Sequence, residues 1–122
     1  MNILLADDLV TNRLALRLYI HKHWSEAVIF EAGTMYEVAQ DVFDVQFDLL
    51  ILDVNMPGNE LLEDFVSKAS NYTKIIIFSD PDKDGLRLVN LIRIGADAFL
   101  PKSSELEAII STFQLVFSED RS

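Results

Sequence analysis

Two textures alternate along the chain. Short, unbroken apolar runs recur at Ile3 to Ala6, Leu49 to Leu52 and Ile75 to Phe78, with weaker ones at Val28 to Glu31 and Ala98 to Leu100. Between them lie longer stretches in which apolar residues are spaced among charged ones. Leu9 to His23 carries Leu14, Leu18 and Ile20 between Arg13, Arg17 and Lys22, which predicts an amphipathic helix. Thr34 with Glu37 three residues on predicts a capping box and a helix to about Val45. Glu60 to Ala69 predicts a weaker helix, after the turn signal Met56-Pro57-Gly58-Asn59. Asp84 to Ile94 predicts a helix stopped by Gly95. Ser104 with Glu107 predicts a second capping box and a last helix to about Phe117.

Five strands thus alternate with five helices. The apolar runs do not alternate with polar residues, so both strand faces are buried and the sheet is parallel. Right-handed crossovers then give a doubly wound, three-layer α/β domain with a five-stranded sheet, of the flavodoxin-like kind.

Composition narrows the class. The 122 residues fit one domain, read as 1–122, and half are hydrophobic, enough for a core without staples. With no cysteine, disulfides and thiolate metal sites are excluded. MNILLADD meets two acids before any long apolar stretch and has no basic segment, unlike a signal peptide. No run reaches membrane-spanning length, so a cytoplasmic protein without membrane contact is expected. A net charge of −10 argues against direct nucleic-acid binding. It fits either a solvated surface or carboxylates converging on a cation.

The fold converts strand ends into a site, because ligands of doubly wound sheets bind outside the carboxyl ends of the strands. The residues there are Asp7 and Asp8 after the first strand, Asp53 after the third, Ser79 after the fourth and Lys102 after the fifth. Three crowded carboxylates need a counter-charge. A hard cation with oxygen ligands supplies it, and Mg²⁺ (or Mn²⁺) also accepts phosphate oxygens. Asp8 and Asp53 are read as direct ligands, Asp7 as acting through water, and the backbone carbonyl of Asn55 as a further oxygen. Asp53, on the central strand, is then the nucleophile toward phosphorus. Lys102 would neutralise phosphoryl oxygens, and the Ser79 hydroxyl would hydrogen-bond one of them.

Taken in order, Asp7-Asp8, the run DLLILDVNMPG around Asp53, Ser79 after an apolar strand, and GADAFLPKS ending in Lys102-Ser103 make the chain resemble a receiver domain of the two-component response regulators. The resemblance covers essentially the whole length. It implies that Asp53 takes a phosphoryl group from a histidine kinase or phosphotransfer protein. It further implies that Ser79 moves toward that group and that an aromatic residue, here Phe99, swings inward. The face of the fourth helix, fifth strand and fifth helix would then change its affinity for an output domain, a partner protein or a second copy in a homodimer.

The pattern departs from the family at three places. Asp80 stands where a small residue is usual, the stretch through Asn59 to Leu62 lacks the glycine usual a few residues after Met56-Pro57, and Ser103 replaces a common proline. The last form is frequent in regulators with a LuxR-type helix-turn-helix output, which points to transcription control. No output domain is read in the chain, and Ser118 to Ser122 reads as linker.

Blander readings stand beside these. Asp7-Asp8 could cap the following helix, Lys102 could be a surface lysine, and Ser79 a turn residue. Phe99 could be core, at least in part. His21 and His23 are two apart on a helix and do not face each other, so they are read as surface residues near its C-terminus, with Trp24 packed at the helix end. The main alternative is an atypical receiver that serves as an interaction or dimerisation module without phosphoryl chemistry. An aspartyl phosphatase would carry an acid at Asn55, and a flavin protein would carry a hydroxyl- and glycine-rich loop in place of Asp7-Asp8.

Overall fold

Each of the five apolar runs forms a strand in the computed structural model, which describes residues 1–118. The elements are β1 (Asn2–Ala6), α1 (Val10–His23), β2 (Val28–Ala32), α2 (Met35–Asp44), β3 (Leu49–Asp53), α3 (Leu62–Ala69), β4 (Lys74–Ser79), α4 (Pro81–Ile94), β5 (Ala98–Pro101) and α5 (Leu106–Ser118). The sheet is parallel throughout, in the order β2-β1-β3-β4-β5. No described helix is long and apolar enough to cross a membrane.

Side-chain alternation along each strand feeds two cores. Leu4, Leu50, Leu52, Ile75 and Ile77 point to one face and pack under α2, α3 and α4, where Val38, Leu62, Val66, Leu88 and Leu91 meet them. Ile3, Leu5, Leu49, Ile51, Ile76 and Phe78 point to the other, under Leu16 and Ile20 of α1 and Ile109, Phe113 and Val116 of α5. Burial on both faces is the reason that these strands read as unbroken apolar runs.

Several element ends differ from expectation. The face of α1 that packs is Leu16 and Ile20, whereas Leu14 and Leu18 are exposed. Leu14 and Ile20 lie roughly 120° apart around a helix, so they could not share one face. The helix α4 begins at Pro81, not Asp84. Asp80 is its N-cap, accepting from the Asp82 N–H at 3.1 Å, and Pro81 takes the first helical position, where its missing N–H costs nothing. The last helix begins at Leu106. The Ala108 and Ile109 N–H groups donate to the Glu105 carbonyl, so Glu105 holds the cap position and Ser104–Glu107 is out of step for a capping box. By contrast, Thr34 caps α2 as expected, its hydroxyl accepting from the Glu37 N–H at 3.1 Å.

The glycine-poor loop after Asp53 is irregular. Gly58, at φ 87°, is left-handed and leads into a single 3-10 turn at Asn59–Leu61 before α3 starts. Gly95 closes α4 at φ 146°, and a Cβ there would lie 2.3 Å from the Ser70 Oγ, so only glycine fits. Ser118, read as the start of a linker, is the last residue of α5, and the linker reading of residues 119–122 lies outside the described residues.

Candidate functional site

Strand register decides which side chains meet. Ala6 pairs with Leu52, so Asp7 and Asp53 leave neighbouring strands together. Asp53 pairs with Phe78, and Ser79 follows one residue later. Ser79 pairs with Pro101, so Lys102 follows directly after the end of the outer strand. The crossover topology thus brings four strand ends to one edge of the sheet.

Asp7 and Asp53 are both buried. The Asp7 Oδ1 accepts from the Leu9 N–H at 2.9 Å, and its Oδ2 accepts from the Asn12 amide at 3.0 Å and lies 3.4 Å from the Lys102 Nζ. The Asp53 Oδ1 accepts from the Asn55 N–H at 3.0 Å and lies 3.0 Å from the same Nζ. Lys102 therefore bridges the two buried acids, with its ammonium 5.6 Å from the centre of the Phe78 ring. Asp8 is exposed at the mouth. Carboxylate oxygens of Asp7, Asp8 and Asp53 come within 4.8 Å of one another.

Burial pushes the Asp53 carboxyl above its ordinary value. The Asn55 N–H and Lys102 oppose that, while the charge of Asp7 adds to it. Burial pulls the other way on Lys102, but its pairing with Asp53 and Asp7 wins and holds its pKa above the usual lysine value. The site is thus an over-acidic cluster only partly balanced by one lysine.

Two buried polar atoms at this edge have no hydrogen-bond partner among the described residues: Asp53 Oδ2 and Ser79 Oγ. Buried polar groups are nearly always paired, and an unpaired one costs about 1–3 kcal/mol. The two atoms stand on adjacent strand ends beside three carboxylates and could serve as part of a ligand's coordination. Oxygen-only chemistry with excess negative charge fits a hard divalent cation, and the free hydroxyl fits an acceptor oxygen beside it.

The structure also places the other candidates. Phe99 stands on the outer strand opposite Ile77, is 41% exposed and belongs to neither core cluster, so it is not the packed residue that its apolar character suggested. Met56 is buried as loop packing. His21 sits with its Nε2 3.1 Å from the Ala27 carbonyl, and Trp24 tilts against Phe113 at 5.4 Å between ring centres. Asp80 uses its carboxylate to cap α4. An apolar cleft of about 790 Å³ between α2 and α3, floored by Met35, Phe47 and Leu50, contains none of Asp7, Asp8 and Asp53.

Sequence reasoning missed the groups that hold the acids. Asn12 fixes the Asp7 carboxylate, and the Arg13 guanidinium donates to the Asp7 backbone carbonyl while pairing with Glu31 at 2.9 Å. Both residues lie on the first turn of α1, where nothing in the spacing separates them from solvated helix positions. The Asn55 amide donates to the Asp84 carboxylate at 2.9 Å, a link between loop and helix with no local signal at all.

Known proteins resemble this chain in sequence and in fold. A family model described as the response regulator receiver domain matches residues 3–114. The chain is 28% identical over 120 residues to the oxygen regulatory protein NreC of Staphylococcus epidermidis, covering 96% of this chain and 55% of that protein. It is 25% identical over 118 residues to the transcriptional regulatory protein YhcZ of Bacillus subtilis, covering 94% of this chain and 54% of that one. The chain spans about half the length of the curated relatives it matches. Among solved structures, a two-component response regulator from Clostridium difficile superposes with a TM-score of 0.84 at 19% identity, over 100% of this chain and 99% of that one. RcsB from Salmonella enterica serovar Typhimurium, bound to promoter DNA with a phosphomimetic, superposes at 0.81 and 14% identity, over 95% of this chain and 67% of that one. At these identities the structural matches speak for the fold.

Proposed function

This chain belongs to the response regulator receiver domain family, and from that premise we propose that Asp53 accepts a phosphoryl group in a divalent-cation-dependent reaction that switches the domain. The observation that carries the reading is the pair of buried, unpartnered atoms, Asp53 Oδ2 and Ser79 Oγ, on adjacent strands at the acidic edge.

Asp8, Asp53 and the Asn55 backbone carbonyl would hold a Mg²⁺ (or Mn²⁺) ion, with Asp7 acting through water. The ion supplies charge neutralisation of the phosphoryl oxygens. Within the chain, the Asn55 N–H and the Lys102 ammonium fix one Asp53 oxygen, leaving Oδ2 free to attack. Attack forms an O–P bond as the donor's N–P bond breaks, and the donor imidazole leaves with the electron pair. A histidine kinase or phosphotransfer protein is the expected donor. Lys102 stays beside the transferred group and stabilises its charge, and the Ser79 hydroxyl gains the acceptor that it lacks.

The phosphoryl group adds about 1.5–2 negative charges, enough to bias a bistable surface. Leu86 (92% exposed), Val89, Phe99 and Leu115 provide apolar contacts on α4, β5 and α5, the face that an output domain, partner or second copy would read. The regulatory relatives favour transcription control as the output.

The test is titration with Mg²⁺ and beryllofluoride, a phosphoryl mimic, followed by NMR. Shifts centred on Asp53, Ser79 and Phe99 are expected. A spectrum unchanged at those positions would refute the switch in favour of a phosphorylation-independent interaction module.

A further inference from the structure

The helix α4 starts immediately after Ser79, and it is tied to the loop behind Asp53 by two side-chain clips. The first is the Asn55 amide, which donates to the Asp84 carboxylate at 2.9 Å. The second is Arg87, one turn along the same helix face. Its Nε and Nη2 donate to the two carboxylate oxygens of Glu63 on α3 at 2.7 and 2.8 Å, and Nη2 also donates to the Asn59 backbone carbonyl. Asn59 in turn donates its side-chain amide to the Val54 carbonyl at 3.0 Å, directly after Asp53. The guanidinium side chain is only 28% exposed, and Glu63 is held as a strong acceptor, its pKa lowered chiefly by the hydrogen bond to Arg87. A bidentate, partly buried fork of this kind is geometrically specific and stiffer than a surface lysine pair.

These links close a circuit from the acceptor's own loop, through Asn59 and Arg87, into α4 and back to Ser79. The Ser79 hydroxyl has no hydrogen-bond partner among the described residues, and on the phosphoryl reading it moves toward the group carried by Asp53 to gain one. Little chain separates Ser79 from the helix. Asp80 is the cap, and Pro81, with its fixed φ, is the first helical residue. A displacement of Ser79 is therefore passed to α4, and the Arg87 fork resists it.

We propose that Arg87 is a positioning residue that latches α4 in the unmodified placement, so that the site's affinity for a phosphoryl group is held down by the work of releasing the Arg87–Glu63–Asn59 clip. This rests on the phosphoryl reading of Asp53. Breaking the latch removes a resting-state interaction, so it tightens the phosphoryl mimic without touching any residue of the acidic cluster.

The experiment measures beryllofluoride affinity at saturating Mg²⁺ by calorimetry for the wild-type chain, R87M, R87K and E63Q, with Mg²⁺ affinity alone measured in parallel. R87M keeps the packed stem while losing the fork. The expected result is a dissociation constant for beryllofluoride roughly three- to tenfold lower in R87M and E63Q. R87K should fall between them and wild type, with Mg²⁺ affinity unchanged throughout. A purely structural role would lower the melting temperature and leave beryllofluoride affinity equal or weaker, and that result overturns the latch. Should R87M fail to fold, E63Q alone decides, since it leaves Arg87 on the Asn59 carbonyl. Failure of the wild-type chain to bind beryllofluoride is a separate result. It would overturn the phosphoryl reading first and the latch with it.

Discussion

Replacing Ser79 by alanine should make the resting domain more stable and the phosphorylated state harder to reach. Ser79 is fully buried and its Oγ has no hydrogen-bond partner among the described residues. A buried hydroxyl without a partner costs about 1–3 kcal/mol of desolvation. Its removal leaves a void of one oxygen atom, on the order of 10–15 Å³, for which the cavity penalty is only about 0.3 kcal/mol. The net expectation is a gain of roughly 1 kcal/mol, or a rise of about 4 °C in melting temperature for a domain of this size. In the loaded state the same hydroxyl would donate to a charged phosphoryl oxygen, an interaction of about 1.5–3 kcal/mol. Its loss should weaken beryllofluoride binding roughly 10- to 100-fold. Urea unfolding without metal, paired with beryllofluoride titration in Mg²⁺, reads both effects on one sample. A variant that is destabilised yet binds the mimic as well as wild type would refute the idea that Ser79 is kept unpaired for a ligand.

The remaining predictions concern the charges. Lys102→Met should cost about 2 kcal/mol at neutral pH, below the range for a fully buried pair because Lys102 is 28% exposed; urea unfolding should show the loss shrinking as the carboxylates protonate or millimolar Mg²⁺ is added. For Asp53, a native pKa raised by burial means that the folded chain holds this proton more tightly than the unfolded one. Its penalty is absent below the ordinary carboxylate pKa and complete once pH exceeds the raised native value. Asp53→Asn should therefore flatten the fall in metal-free stability with rising pH across that window, and a melting series against pH checks it. Asp8→Ala should lower Mg²⁺ affinity at least tenfold by calorimetry. Asp80→Ala should leave it within about twofold while costing roughly 1 kcal/mol for the lost helix cap; equal losses in Mg²⁺ affinity would mean that the metal site is misassigned.

The acidic edge was legible from the chain because a parallel sheet turns strand ends into neighbours. Asp7, Asp53, Ser79 and Lys102 each follow an apolar run, and with right-handed crossovers all such ends face one side. No local motif names Asp53; its standing comes from three other strands. The groups that set its state were not legible. Asn12 and Arg13 lie on the first turn of α1 with no spacing that marks them, though both reach back to Asp7, and Arg13 and Arg87 also bond Glu31 and Asn59, respectively, which lie far away in sequence.

The element ends show the same division. At α2, a local hydrogen bond between Thr34 and Glu37 fixes the start, and the cap was foreseen. At α4 the local signal was present in Asp80-Pro81-Asp82, ahead of the start expected at Asp84. For α1 the sequence offers two apolar stripes, Leu14 with Leu18 and Leu16 with Ile20. Periodicity cannot choose between them, since either would make an amphipathic helix. The choice belongs to the sheet beneath, where Ile3 and Leu5 present the surface that Leu16 and Ile20 fill. Short-range patterning by itself determined the five strands, the five helices and the sharing of one edge by the acids and the lysine. Only tertiary structure decided which helix faces are buried, which hydroxyl is left unpaired and what ties α4 to the acceptor loop, because those depend on side chains that meet across elements and not along them.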